Sequence, residues 1–311
     1  MFSVTLQSIA PVFFLIALGI FLYRQKVLDD TVNAGLSKLV YQVGLPALVF
    51  SKIAGSDLRT LWDIRESGFL IGSTILLFSL LWFLSKPWMA DRRVWSAFVQ
   101  AAYRSNTAIV GFAVVQNRYG DHGLAHAVML LAFIIPLYNI LAVILLTHAS
   151  TQGRLRPAAL GKAVIGNPLI QALLLALPFS LLRISLPPVV SVTLKNLSNM
   201  VLPLALIGIG ADLRWHLSRE FRAEITLASA LKLLLFPALQ MVGAWLLGIR
   251  GEPLGVLTLL VASPTAVSAY VMAKALGSDE KLTAQIIVAS TAFCLLTMAG
   301  FVLAGQMTGW F

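Results

Sequence analysis

Four basic side chains lie inside long apolar stretches of the chain: Lys38, Arg104, Lys195 and Lys232. All 13 acidic residues, in contrast, lie in loops or at the ends of such stretches. A charge at the centre of a membrane helix costs about 2.5–3.5 kcal/mol on insertion scales, so such a residue usually faces a cavity or a partner. With no carboxylate nearby, the remaining partners are an incoming anion or a carbonyl at a helix break. The pattern therefore predicts an anion-binding site.

Arg104 is the strongest candidate to bind this anion. Its planar guanidinium suits a carboxylate, which it can contact through two parallel hydrogen bonds. The polar residues Ser105, Asn106 and Thr107 follow it and predict a break in the helix. Backbone N–H groups at the start of the next half-helix would attract the same carboxylate. The alternative is that Arg104 binds carbonyls freed by the break and holds the helix together.

A second break is predicted at Ser263, Pro264 and Thr265. Serine followed by proline is a common helix start, which makes Ser263 an N-cap and places Pro264 in the first turn. Ser105 would cap the matching half-helix at the first break. The polar side chains at both breaks are therefore predicted either to contact the substrate or to act as caps only.

Other polar residues of the apolar stretches are candidates for the site and its pathway. Lys38 and Lys195 would each line the approach from one side of the membrane, and Lys232 is assigned to the same pathway. Alternatively, these lysines extend to the nearest interface, or Lys232 binds a carbonyl. Gln42 and Asn199 are predicted to line the site, with interhelical hydrogen bonding as the alternative.

The composition indicates which elements must position these residues. Of 311 residues, 59% are hydrophobic and only 12% are charged, about half the charged share of a soluble protein. This excludes a soluble enzyme, a disordered tail or a nucleic-acid binder as the first interpretation, and the single Cys294 excludes an internal disulfide. A membrane helix needs about 20 mostly apolar residues. Ten windows meet or approach this length: Phe2–Tyr23, Thr31–Ser51, Ser67–Ser85, Val94–Asn117, Ala127–Gly153, Ala163–Leu182, Ile184–Ala211, Ile225–Ile249, Pro253–Ala273 and Leu282–Phe311.

The distribution of Lys and Arg predicts how these ten spans are oriented. Odd-numbered loops hold thirteen basic residues and even-numbered loops hold six. Because cytoplasmic loops carry the excess of basic residues, the odd loops are predicted to be cytoplasmic. Both termini would then be periplasmic or extracellular, in a bacterial-type inner (plasma) membrane.

A shift of 157 or 158 residues aligns the two halves of the chain. The matches include Lys38 with Lys195, Gln42 with Asn199, Leu45-Pro46 with Leu202-Pro203, and Ser105-Asn106-Thr107-Ala108 with Ser263-Pro264-Thr265-Ala266. Each unit holds five spans, so the second copy would cross the membrane in the opposite orientation. Inverted repeats of this kind are typical of secondary transporters. We therefore predict a first five-helix repeat over 1–153 and a second over 154–311.

Short motifs occur along the whole chain: Gly44-Leu45-Pro46-Ala47-Leu48, Arg104-Ser105-Asn106, Gly166-Asn167-Pro168, Leu202-Pro203-Leu204-Ala205, Gly208-Ile209-Gly210, Lys232-Leu233 with Phe236-Pro237, and Ser263-Pro264-Thr265-Ala266. With these motifs the sequence resembles the auxin efflux carrier family, which includes the plant PIN exporters and bacterial malonate- or malate-transporter-like members. The resemblance implies an all-α fold of ten transmembrane helices in two inverted repeats. It also implies broken, crossing helices 4 and 9, a scaffold of spans 1, 2, 6 and 7, and a mobile transport domain of spans 3–5 and 8–10. The usual cargo of the family is organic anions.

Together these observations predict a secondary carrier for small organic anions, such as malonate, malate or auxin-like acids. It would alternate access by an elevator-like movement and bind its substrate where helices 4 and 9 cross. The absence of embedded Asp or Glu argues against a carboxylate proton relay or a carboxylate-built sodium site. No catalytic residue, metal or cofactor is predicted, and the expected partners are the anion and membrane lipid, not nucleic acid. A homodimer is compatible with the sequence, and the alternatives are a non-transporting receptor or sensor, or an anion channel with the same pocket.

Overall fold

The computed structural model describes residues 2–56, 63–149, 165–213 and 221–311. The predicted boundary between the repeats, at residues 153 and 154, lies outside the described residues, as do several basic loop residues such as Arg154 and Arg219. Within these ranges the chain is helical and forms no strand.

The helices are α1 (Phe2–Arg24), α2 (Asp30–Leu39), α3 (Leu45–Ala54), α4 (Ile64–Ser85), α5 (Arg92–Tyr103), α6 (Phe112–Ala149), α7 (Pro168–Leu181), α8 (Pro188–Asp212), α9 (Arg222–Ala230), α10 (Phe236–Leu246), α11 (Gly251–Val261), α12 (Ser268–Leu276) and α13 (Glu280–Thr308). Three π-helical turns adjoin them: Val40–Gly44 joins α2 to α3, Thr107–Gly111 leads into α6, and Leu231–Leu235 joins α9 to α10. Within α6, Gly120 has a φ of 66° and interrupts the helical backbone.

Short polar side chains determine where several helices begin. A side-chain oxygen accepts a hydrogen bond from a backbone N–H of the first turn at Asp29, Asp63, Asp91, Asn167 and Asp279. Such caps satisfy N–H groups that have no partner within the helix.

Five continuous helical segments are long and apolar enough to cross a membrane: Ile64–Ser85, Thr107–Ala149, Pro188–Asp212, Arg222–Leu246 and Glu280–Thr308. Three shorter apolar helices accompany them: Ala10–Arg24, Pro168–Leu181 and Gly251–Val261. This architecture is that of an all-helical protein that spans the membrane several times. The count of ten spans and the inverted repeat stay predictions.

The helices pack in two groups. One group contains α1, α2, α3, α7 and α8, and its most extensive contact joins α1 to α8. There the backbones approach so closely that a Cβ on Gly210 would lie 2.1 Å from the carbonyl oxygen of Ile16. The second group contains α4–α6 and α9–α13, in which α6 packs along α11. The two groups contain the spans of the predicted scaffold and transport domain, and that division into domains also stays a prediction.

Candidate functional site

Two breaks in the helices meet in the interior of the protein. Helix α5 ends at Tyr103 and helix α11 at Val261, and each is followed by a short extended segment. The segments run antiparallel, since Asn106 N donates to Pro264 O (2.7 Å) and Ala266 N donates to Arg104 O (3.2 Å). Non-helical backbone is tolerated at membrane depth only where it is buried or lines a cavity. We call this contact the break bridge.

The predicted caps at the two breaks are wrong. Ser263 Oγ donates back to Leu259 O in the last turn of α11 (3.0 Å), and Ser105 Oγ donates to Val261 O (3.2 Å). The half-helix after the second break begins only at Ser268. The reason is that the residues after Ser263 are used in the break bridge, so the helix cannot start at Pro264.

Thr265 is also held inside the protein by the bridge and its surroundings. Its Oγ1 donates to Ala101 O (2.7 Å), and its N–H donates to Ser290 Oγ (3.1 Å). Ser263 and Thr265 are fully buried, and with Pro264 they lie behind the cavity described next and do not line it. Their polar groups hold the two breaks together.

A cavity of about 600 Å³ adjoins the break bridge; we call it the Arg104 cavity. Four predicted site residues line it together: Arg104, Ser105, Asn106 and Thr107. The remaining wall is largely apolar and comes from α2 with the π-helical turn after it, from α6, α8 and α12, and from the starts of α3 and α7. A mostly apolar cavity with a few convergent polar groups is typical of a small-molecule site.

Arg104 is the one cation in the described wall of this cavity, and its side chain is buried. Its Nη2 donates to Asn139 Oδ1 (2.8 Å) and its Nη1 lies 2.9 Å from Met272 Sδ. Both partners are neutral side chains, and the guanidinium contacts no freed carbonyl of the break among the described residues. Guanidinium has five N–H donors, so these two contacts leave donors for an anion.

Asp212, at the end of α8, is the one carboxylate in the described wall of the Arg104 cavity. It is exposed and accepts a hydrogen bond from Asn33 Nδ2 (2.6 Å). Sequence reasoning assigned this acid to a helix end and missed its place in the wall. The cavity thus has a buried cation beside the break bridge and an exposed carboxylate at the end of α8.

Lys232 lies on the other side of the break bridge. It is 2% exposed, and its Nζ donates to Ser105 Oγ (2.6 Å) and to Val261 O (2.7 Å). It faces a small enclosed void with Thr74 and Gln240 and does not reach the Arg104 cavity. The assignment of Lys232 to the substrate pathway stays a prediction, and its contact with the carbonyl oxygen of Val261 is the one that the alternative describes.

The structure does not bring the other predicted residues to the Arg104 cavity. Lys38 and Gln42 are exposed and absent from its wall, which their neighbours Ser37 and Tyr41 line instead. Lys195 and Asn199 line a different cavity near the start of α8. Gln42 and Asn199 therefore lie away from Arg104 in this structure, and their proposed contact with the substrate stays a prediction.

One buried pair of titratable residues was missed. Glu66, in the first turn of α4, lies 2.5 Å from His126 of α6, and both side chains are 7% exposed. Glu66 lies at the end of its span, as expected of the acids, but its burial beside His126 was not predicted. Asn139, the partner of Arg104, was also missed. The available signal was its position as a polar residue in the middle of an apolar span.

The apolar helices, the buried break bridge and the adjoining cavity define the class as a polytopic membrane protein. The family model described as "Membrane transport protein" matches residues 4–302. The chain therefore belongs to this family of membrane transporters, and the resemblance to auxin efflux carriers is confirmed.

Two relatives show how far this similarity extends. An "Uncharacterized transporter" of Methanothermobacter thermautotrophicus is 26% identical over 296 residues, which cover 94% of this chain and 95% of the relative. The "Uncharacterized transporter YfdV" of Escherichia coli K12 is 24% identical over 283 residues, or 88% of each chain.

Proposed function

We propose that this protein is a secondary carrier that binds small organic anions in the Arg104 cavity. The observation that carries the proposal is the buried guanidinium of Arg104, which lines the cavity and has neutral side-chain partners among the described residues. A carboxylate would provide the missing counter-charge and could accept two parallel hydrogen bonds. The cargo class is therefore a small molecule with at least one carboxylate.

The position of the cavity supports transport by alternating access. Its wall includes Asn167 and Asp212, which lie at helix ends next to odd-numbered loops. Under the predicted orientation these ends are cytoplasmic, so the cavity would face the cytoplasm of a cell with this protein in its inner membrane. The wall joins the two helix groups, and movement of one group past the other, as in an elevator, would expose Arg104 at the opposite end.

The membrane potential is a sufficient driving force for such a carrier. Outward movement of a monoanion gains about 2.3 kcal/mol per 100 mV of inside-negative potential. We therefore propose facilitated movement or exchange that needs no sodium gradient.

The test is transport by purified protein in liposomes of neutral lipid. Malonate, malate and monocarboxylates are applied on solid-supported membranes, with and without a sodium or proton gradient, and counterflow of labelled malonate is measured in parallel. We expect saturable currents that persist without either gradient, and counterflow, which a channel does not show. Strict dependence on sodium would contradict the proposed driving force, and currents without saturation or counterflow would favour the channel.

Arg104→Gln tests the site in the same assay. Its control is Arg92→Gln, which removes an exposed arginine at the start of α5. We expect Arg104→Gln to abolish transport and Arg92→Gln to retain it. Equal transport by both variants would remove Arg104 from the proposed site.

A further inference from the structure

A second cavity, of about 810 Å³, lies at the opposite end of the same helices; we call it the Lys195 cavity. Helix α8 contributes Lys195 to this cavity and Asp212 to the Arg104 cavity. At 1.5 Å of rise per residue, these two positions are about 25 Å apart along the helix. The Lys195 cavity adjoins the even-numbered loops, which are predicted to be extracellular or periplasmic.

The charge of this cavity is predominantly positive. Its described wall holds three cations, Lys52, Arg183 and Lys195, and one carboxylate, Asp121. Serine hydroxyls from α3, α7 and α8 supply further hydrogen-bonding groups. A concave surface with an excess of one charge attracts the opposite charge, so this cavity favours small anions.

Asp121 is the one described wall residue that comes from the second helix group. It follows Gly120, where the backbone of α6 is interrupted, and its carboxylate accepts a hydrogen bond from Lys52 Nζ (2.6 Å). Gln116 Nε2 donates to the same oxygen (3.0 Å). Lys52 belongs to α3, so this ion pair links the two groups of helices.

Lys195 lies on the same wall with an exposed side chain. Within the described ranges it donates no hydrogen bond, and the carboxylate that it attracts is Asp121. The Asp121 carboxylate therefore occupies the place of a bound anion in this cavity. The lysines that attract it would suit the carboxylate of a free anion equally well.

Apolar packing separates the two cavities. Leu131 of α6, Val49 of α3 and Leu173 of α7 line one void, which is too small to hold an organic anion. A movement of α6 relative to α3 and α7 would open this contact and withdraw Asp121 from Lys52 in the same step.

We propose that the Lys195 cavity is a second anion-binding site, occupied by the Asp121 carboxylate in this conformation and by the carboxylate of a cargo anion once α6 moves away. The inference rests on the proposed carrier function, because the cargo is the same class of anion. It assigns Lys52 and Lys195 to the site at which the anion leaves or enters on the even-loop side. Asp121 competes with that anion and thereby keeps this side closed while the site is empty.

Binding of malonate to purified protein in nanodiscs of phosphatidylcholine tests the proposal. All variants carry Arg104→Gln, so that the Arg104 cavity does not contribute to the titration. In this background Asp121→Asn removes the competing carboxylate, and we expect malonate to bind about tenfold more tightly, which corresponds to about 1.4 kcal/mol. Asp121→Ser is measured in parallel, and since the Asp121 side chain is 73% exposed, neither substitution is expected to unfold the protein.

Adding Lys195→Met to Asp121→Asn should abolish this binding. The matched control is Lys274→Met, which removes an exposed lysine at the end of α12, beside an odd-numbered loop. Equal loss in both lysine variants, or no gain in either Asp121 variant, would overturn the proposal.

Nanodiscs that contain phosphatidylglycerol distinguish a lipid headgroup from a free anion. Lipid retained in a Lys195-dependent manner, without Lys195-dependent malonate binding, would assign the cavity to lipid and overturn the cargo site. A normal transport current that needs Arg104 while Lys195 has no effect on malonate binding would reject the second site alone. Loss of the Arg104-dependent current would instead reject the carrier function.

Discussion

Ser105 connects the break bridge to the buried Lys232, and its removal should destabilise the protein measurably. Its hydroxyl accepts a charged hydrogen bond from Lys232 Nζ (2.6 Å) and donates to Val261 O (3.2 Å). A bond to a charged group contributes about 1.5–3 kcal/mol and a neutral one about 0.5–1.5 kcal/mol. Ser105→Ala should therefore lower the free energy of unfolding by about 2–4 kcal/mol.

The repeat-related serine is the matched control. Ser263 Oγ donates only to Leu259 O of α11 among the described residues (3.0 Å), so Ser263→Ala should cost about 1 kcal/mol or less. At about 2–4 °C per kcal/mol, we expect Tm to fall by about 4–16 °C for Ser105→Ala and by about 4 °C or less for Ser263→Ala.

The single cysteine provides the assay. Cys294 is fully buried, so a thiol-reactive fluorophore should label it only when the protein unfolds, and detergent-purified variants can be compared on one temperature ramp. Equal shifts for the two serine variants, or an unchanged Tm for Ser105→Ala, would refute the reasoning that Lys232 supports the bridge through Ser105.

Further predictions concern close contacts of glycines. A Cβ on Gly111 would lie 2.7 Å from Ser263 Oγ. Because overpacking costs about 1–3 kcal/mol, Gly111→Ala should lower Tm by several degrees, and adding Ser263→Ala should restore part of this loss. A double variant with no restored Tm would contradict this contact. A Cβ on Gly210 would meet the backbone oxygen of Ile16 at 2.1 Å, so Gly210→Ala should strongly reduce the yield of folded protein in size-exclusion chromatography. Gly300 is the control, because no atom lies within 4 Å of its Cβ position. Gly300→Ala should preserve the yield and raise Tm slightly, since alanine favours a helix interior by about 1 kcal/mol over glycine. Similar yields for Gly210→Ala and Gly300→Ala would contradict the close packing of α1 on α8.

The helical fold and the residues beside the first break could be predicted from the sequence. Apolar windows of membrane length identify helices without knowledge of their packing, because each window must be apolar on its own. Arg104 with the three residues after it could be found for a related reason, since a cation and adjacent polar residues inside an apolar stretch require a special environment.

The remaining site residues depend on packing that the sequence does not encode locally. Gln42 differs from Tyr41 by one position, yet only Tyr41 lines the cavity, because successive residues of a helical turn point in different directions. Ser263 looked like a cap because the interaction that replaces the cap comes from a segment more than 150 residues away. Glu66 was assigned to a loop, although its partner His126 makes it a buried residue.

The central claim is that the guanidinium of Arg104 binds the carboxylate of the cargo. Titration of malonate into purified wild-type protein, Arg104→Lys, Arg104→Gln and the control Arg92→Gln tests it most directly. Two charged hydrogen bonds predict a loss of at least about 100-fold in affinity for Arg104→Gln. Arg104→Lys keeps the charge without the planar fork and should lose about tenfold, while Arg92→Gln should match the wild type. Malonate affinity in Arg104→Gln equal to that of the wild type would contradict the account.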